Sequence, residues 1–283
     1  MKRLLRWIAI AVVALVALGI IAFGVVYVLS ERILTRSYAV PPAALSIPTG
    51  PAAVTEGSRL TAIHGCLGSD CHGMHGEGRV MFDQPMIARI VAPNLTTAVR
   101  RYSDAQLAGV IRQGVRPGGR GVLVMPSEAF AALTDEDLGR ILAFLKSLPV
   151  ADGPGPSISL GPVGRIGVAL GKFKTAPQLI AEAATPPEAT SEGASLGRYL
   201  ARTICAACHG GDLRGASNPD FTSPGLAVVA AYSPDAFTEL LRTGVALGGR
   251  TLPVMTPRAR ENLSHLTDAE IGALYTYLHA ARW

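Results

Sequence analysis

The hydrophobic pattern begins with an uncharged run from Trp7 to Leu29, led by Lys2, Arg3 and Arg6. A helix over those residues would be about 35 Å long, enough to cross a hydrocarbon core of roughly 30 Å. A cleaved signal peptide has an apolar stretch of only about 7–15 residues and a small-residue cleavage site. Here the run is longer and continues into Leu29-Ser30-Glu31-Arg32. The expectation is therefore an uncleaved anchor rather than a signal peptide or a buried core helix. Basic residues weigh most before the span, which puts the N-terminus in the cytoplasm and the rest of the chain outside it.

Beyond the anchor the apolar positions follow a helical period. Thr134 stands as an N-cap before Leu138, Ile141, Leu142 and Leu145, and Pro149 ends the segment. Thr267 and Glu270 form a T-x-x-E capping box ahead of Ile271, Leu274, Tyr275 and Leu278. Leu196, Leu200 and Ile204 fall at i, i+4 and i+8, and further helices are expected over Gln106–Arg112 and Phe237–Arg242, ending near Gly114 and Gly244. No convincing period-two alternation appears. The expected fold class is all-α.

The pattern also repeats. Tyr102–Met125 aligns without gaps on Tyr232–Met255 at an offset of 130, with ten of 24 positions identical. Leu133-Thr134-Asp135 recurs as Leu266-Thr267-Asp268, and Cys71-His72-Gly73 as Cys208-His209-Gly210. Two copies are too few for a solenoid and read as tandem globular domains. The expected organisation is an anchor at 1–36, a Pro/Ala/Ser-rich tether at 37–56, a first domain at 57–149, a Pro/Gly-rich linker at 150–190 and a second domain at 191–283. Each domain has long irregular stretches and a thin core of its own, so another source of apolar volume is implied.

Composition removes several function classes. The chain has 283 residues, 49% hydrophobic and 17% charged, with a formal charge of +5. Residues 1–36 carry five Lys/Arg against the single acid Glu31, leaving only +1 for the remainder. No basic domain is left to neutralise phosphates, so nucleic acid is not an expected partner. Four Cys are too few for a disulfide scaffold, and they occur as two tight pairs.

Cys205-Ala206-Ala207-Cys208-His209 is C-x-x-C-H, the attachment site of a c-type haem. Two thiols add to the vinyl groups along one macrocycle edge, and the following His is carried onto one face, where its imidazole binds iron. A thioredoxin-like pair would need a βαβ context, and zinc would need two more ligands. The first copy reads Cys66-Leu67-Gly68-Ser69-Asp70-Cys71-His72, a C-x4-C-H variant in which Gly68 gives the longer loop room to bulge. Haem is favoured there because the rest of the copy duplicates the second; a single thioether, or a Cys66–Cys71 disulfide without haem, are the alternatives. Met125 and Met255 hold corresponding repeat positions 54 and 47 residues beyond Cys71 and Cys208 and are the expected second axial ligands. His64, His75, His265 and His279 are read as surface or helix-face residues.

Both copies resemble class I c-type cytochrome domains, and the anchored tandem is similar to membrane-bound dihaem cytochromes c and to the cytochrome subunits of periplasmic alcohol and sugar dehydrogenases. The resemblance implies two covalent haem c groups, with His72 and Met125 on one iron and His209 and Met255 on the other. It also implies a prolyl carbonyl orienting each ligating His: Pro93 in the first copy, with Pro219 as its counterpart. Arg112 and Arg242 recur and suit haem propionates or helix ends equally well.

An iron closed by His and Met has no open position, which suits electron transfer rather than catalysis. The expected role is an electron relay on the outer face of a bacterial inner membrane. Its expected partners are a dehydrogenase, a quinol-linked complex or an oxidase, with lipid around the anchor. A dihaem peroxidase with one open iron is the alternative, and a tightly held dehydrogenase subunit is a variant of the relay.

Overall fold

The computed structural model describes residues 1–41, 44–69, 71–189, 194–217 and 221–283. Helix α1, Lys2–Leu34, runs 33 residues with its apolar side chains exposed and only Ser30 buried. Helix α2, Pro51–Ile63, starts on Pro51, whose missing N–H costs nothing in a first turn. It runs across the boundary expected between residues 56 and 57.

Strands β1, Arg79–Gln84, and β2, Ala88–Ala92, make an antiparallel hairpin. Helices α3, Leu95–Arg101, α4, Asp104–Gln113, α5, Ser127–Phe130, and α6, Asp135–Ser147, follow. The expected caps are in place: Thr134 accepts from the Asp137 N–H, and Gly114 closes α4 in the left-handed conformation.

The segment from 150 to 190 is more than a linker. Strand β3, Ser157–Leu160, pairs antiparallel with β2; helix α7, Pro162–Ala169, packs behind it, and helix α8, Ala176–Glu182, packs on α5. The tether also adheres: the Tyr38 N–H donates to the Gly119 carbonyl, while Leu45 and Ile47 pack on the core. The boundary expected at 190/191 lies outside the described residues.

Helix α9, Ala194–Leu200, passes through a π-helical turn, Ala201–Cys205, into α10, Ala206–His209. The buried face is Ala194, Gly197, Leu200 and Ala201, with Gly197 against α13, and Leu196 of the expected stripe is exposed. Strands β4, Gly215–Ser217, and β5, Thr222–Pro224, form a second hairpin. Helix α11, Pro234–Thr243, leads to the ribbon of β6, Val245–Ala246, and β7, Arg250–Thr251. Helices α12, Met255–Glu261, and α13, Asp268–Ala280, close the chain, and α13 carries the expected Thr267/Glu270 capping box. The all-α expectation is thus corrected: among the described residues helices dominate, with three small antiparallel sheets among them. Short strands bounded by Gly and Pro leave no run long enough for alternation to register.

The repeat is legible in the packing. α2 crosses α6 where a side chain at Gly57 would meet the Arg140 carbonyl oxygen at 1.9 Å. α9 crosses α13 where one at Gly197 would meet the Ala273 carbonyl oxygen at 2.1 Å. Arg140 and Ala273 each lie six residues past the N-cap threonine, so the two crossings correspond.

The copies do not have separate cores. One cluster of buried residues runs from Leu60, Ile63 and Leu142 through Leu200, Leu274 and Tyr277. Polar contacts cross between the copies reciprocally. Arg59 of α2 pairs with Glu270, the third residue of α13, at 2.8 Å. Tyr199 of α9 donates to Asp137, the third residue of α6, at 2.5 Å. The thin core expected of each copy is met in part by this sharing.

Candidate functional site

Each cysteine pair follows a helix packed into the shared core. Among the described residues no cysteine is in a disulfide, which removes the Cys66–Cys71 bridge as a feature of this structure. Burial, with each thiol close to its neighbouring Cys, pushes Cys66 and Cys205 up to about 12. Burial also raises Cys208, against the opposing pull of the Arg258 charge. The thiols of Cys66, Cys205 and Cys208 are therefore protonated at neutral pH, in residues that are half-buried.

The histidines have a more specific arrangement. His72 Nδ1 lies 2.8 Å from the Pro93 carbonyl oxygen, and His209 Nδ1 lies 2.8 Å from that of Pro224. A carbonyl only accepts, so Nδ1 carries the proton in both rings and Nε2 is left with its lone pair. Burial lowers both imidazoles below the usual histidine range, although the hydrogen bond to the proline works in the other direction. A neutral ring with a free Nε2, oriented through Nδ1, is the form that binds a metal.

The strands missed in the sequence build this arrangement. β2 ends at Ala92 and delivers Pro93; β5 ends on Pro224 itself. Ser223 in β5 donates to the Cys208 carbonyl at 2.5 Å, tying the hairpin to the attachment segment. Pro219, the counterpart expected for Pro93, lies outside the described residues, and the carbonyl facing His209 belongs to Pro224. The signal was present: Pro93-Asn94-Leu95 and Pro224-Gly225-Leu226 share Pro-x-Leu before a helical turn.

The C-x4-C-H loop is held at both ends. The Gly68 N–H donates to the Gly73 carbonyl at 3.1 Å, and the His72 N–H to that of Cys66 at 3.3 Å. Gly68 sits at φ +133°, and a side chain there would come within 2.3 Å of Glu261 Oε1. Glu261 ends α12 of the other copy, and it accepts from Ser69 N–H at 2.8 Å and Ser69 Oγ–H at 3.1 Å. Asn262 Nδ2 donates to the Ala62 carbonyl at 2.8 Å beside it.

The methionines stand where α5 and α12 begin. Met125 lies in a bend two residues before α5, Met255 is the first residue of α12, and both are half-buried against the shared core. α5 packs on the π-turn and α10 of the second copy, while the turn Leu263–His265 after α12 packs on α2 of the first. Each Met-bearing segment thus leads into an element that touches the other copy's attachment segment.

Arg112 and Arg242 each pair with the first-turn aspartate of a closing helix, Arg112 with Asp135 at 2.6 Å and Arg242 with Asp268 at 2.7 Å. Arg242 also donates to the Ser264 and Leu266 carbonyls. The placement is that of a tie between helices. His64, expected as a surface or helix-face residue, caps α2 and is tucked beside Phe130, with Nδ1 on the Leu60 carbonyl at 2.8 Å and Nε2 shut off from solvent.

Two cysteines beside a pre-oriented imidazole fit covalent haem c in both copies. Comparison with known proteins agrees for the second: residues 194–282 match the family model described as cytochrome c. That match supports haem and iron binding and electron transport for the second copy. The chain is also 24% identical over 253 residues to the fructose dehydrogenase cytochrome subunit of Gluconobacter japonicus. The alignment covers 80% of this chain and 52% of that protein, so the chain spans about half the length of the curated relative it matches.

Proposed function

We propose that the chain is a membrane-anchored electron carrier with two cytochrome c domains, each holding one covalent haem c. The observation that carries this reading is the duplicated hydrogen bond from His Nδ1–H to a prolyl carbonyl, 2.8 Å in both copies, beside a pair of half-buried cysteines. Cys66 and Cys71, and Cys205 and Cys208, supply the thioethers. His72 and His209 would offer Nε2 to the iron, and Met125 and Met255 their sulfurs. When bound, haem c supplies reversible one-electron chemistry at iron. The protein's part would be to supply nitrogen and sulfur ligands, an arrangement that suits electron transfer rather than oxygen or peroxide chemistry.

Helix α1 serves as the anchor, with the N-terminus inside and the domains on the outer face of the membrane. Its exposed apolar surface over 33 residues supports this. The likeness to a dehydrogenase cytochrome subunit supports a dehydrogenase as electron donor, with a quinol-linked complex or an oxidase on the other side of the relay.

The test is a pyridine haemochrome count on full-length protein matured in a competent host, with intact mass. Two haems per chain are expected. One haem per chain would overturn the assignment of Cys66, Cys71 and His72, and none would overturn the function.

A further inference from the structure

The chain between the two copies presents a surface the relay does not use. α7 packs against the last turns of α1, and Arg165 is the joint. Its guanidinium lies 4.0 Å from the centroid of the Tyr27 ring, donates to Ser30 Oγ at 3.0 Å and pairs with Glu31 at 3.1 Å. These partners bracket Leu29, where the uncharged run stops. α7 is therefore held level with the end of that run.

The inner face of α7 is made for close packing. A side chain at Gly164 would meet the Ile87 carbonyl oxygen at 2.1 Å, one at Gly167 the Phe173 ring at 2.5 Å, and Val168 is buried. The outer face is apolar and open. Val163, Ile166 and Leu170 fall at i, i+3 and i+7, and Leu170 is 70% exposed. Met86, 60% exposed, and Phe173 extend the patch to either side. A helix facing water carries polar residues at such positions.

We infer that α7 lies in the outer headgroup layer of the membrane that α1 spans, as a second, peripheral lipid contact. Three features favour a bilayer over a protein partner. The patch is continuous with the exposed apolar surface of α1. Arg165 brings no unpaired charge to the interface, because Glu31 and Tyr27 cover it. The apolar face of a helix of only eight residues offers far less than the roughly 800 Å² that each side of a stable protein interface needs, whereas interfacial helices bind by shallow burial of such a face. Lys172, exposed just past the helix, is placed to reach the headgroups. The contact also orients the haem-binding body: the Gly161 and Val163 N–H groups donate to the Ile87 and Met86 carbonyls at 2.9 Å each, coupling α7 to the sheet that ends at Pro93.

This inference rests on α1 spanning the membrane, and photocrosslinking separates the two. p-Benzoylphenylalanine replaces Leu15, Leu170 or Leu247, one at a time, in the full-length haem-loaded protein. The protein is placed in nanodiscs of phosphatidylethanolamine and phosphatidylglycerol, and its haem absorbance confirms the fold. After irradiation, lipid adducts are expected at 15 and 170, with 170 about tenfold above the β6–β7 turn position 247. Adducts at 15 but only background at 170 overturn the inference and leave the anchor intact. A crosslink from 170 to a second chain overturns it in favour of a protein contact. No adduct at 15 overturns the anchor and the inference together.

Discussion

Arg59 joins the two copies, and replacing it by Met measures how firmly. The guanidinium makes two charge-assisted bonds to Glu270, at 2.8 and 2.9 Å, and two to Glu56, at 3.0 and 2.7 Å. The Arg59 side chain is 22% exposed and that of Glu270 14%, so this pair lies nearer the buried limit than the surface one. Breaking a buried pair costs about 3–5 kcal/mol and an exposed pair about 0–1. Glu56 stays partly hydrated, and Met preserves the apolar stem, so Arg59→Met should cost about 2–3 kcal/mol. Glu56→Gln alone should cost about 0.5 kcal/mol, as for an i,i+3 pair. Urea unfolding of the haem-loaded protein in detergent, in a cycle with Glu270→Gln, should give a coupling of about 1–2 kcal/mol. The pH dependence provides a second readout. The hydrogen bond from Arg59 holds the Glu56 carboxyl below its ordinary value of 4.5. Its contribution is therefore complete above about pH 4.5 and disappears as pH falls through the lowered value. The Arg59→Met variant should lose that part of the acid slope. A loss under about 0.5 kcal/mol, or no coupling to Glu270, would refute the view that this ion pair fastens the copies.

Gly197→Ala should destabilise by about 2–3 kcal/mol in the same assay, because its methyl group would lie 2.1 Å from a backbone oxygen of α13. Gly272→Ala, with nothing within 4 Å, should instead stabilise by about 0.5–1 kcal/mol, and equal effects at the two sites would contradict the packing described. Met255→Ala and Met125→Ala should each convert one haem to a high-spin ferric species that takes up an added ligand such as imidazole; an unchanged spectrum for either would remove that Met from the ligand set. Cys66→Ser should keep haem on the first copy through the remaining Cys71 thioether and shift its reduced absorption band, whereas complete loss of one haem would make Cys66 indispensable.

Much of the helical framework and the cysteine–histidine cores were legible because they depend on local chemistry. Caps at Thr134, Thr267 and Gly114 are decided within a few residues, and so is the Cys-His adjacency that puts thiols and imidazole at one place. The β2 and β5 strands were not legible, since strands of five and three residues leave little alternation to read. With them went the partner of His209, fifteen residues downstream across a hairpin. The exposure of Leu196 was hidden for another reason: the buried face is built on the small residues Ala194, Gly197 and Ala201, with Gly197 against α13, and a stripe of large apolar residues does not mark them. The linker and tether looked loose by composition. They are held by β3 pairing and by Tyr38, contacts set by long-range geometry.

The longer C-x4-C-H loop gains its meaning from the opposite copy. Within the first copy alone, Ser69 adds length between two thiols that in the second copy need only Ala206-Ala207 between them. The addition places an N–H and a hydroxyl against both oxygens of Glu261, at the end of the helix that Met255 begins. A shift of α12 therefore pulls on the first attachment loop, and α5, just past Met125, bears on the π-turn that positions Cys205. Each copy's Met-bearing segment is thereby restrained by the other copy's cysteine segment. On the proposed reading, two copies that share one core gain rigidity around their Met and Cys segments in this way. Rigid ligands matter for an electron carrier because every change in ligand geometry between oxidation states adds to the barrier for transfer.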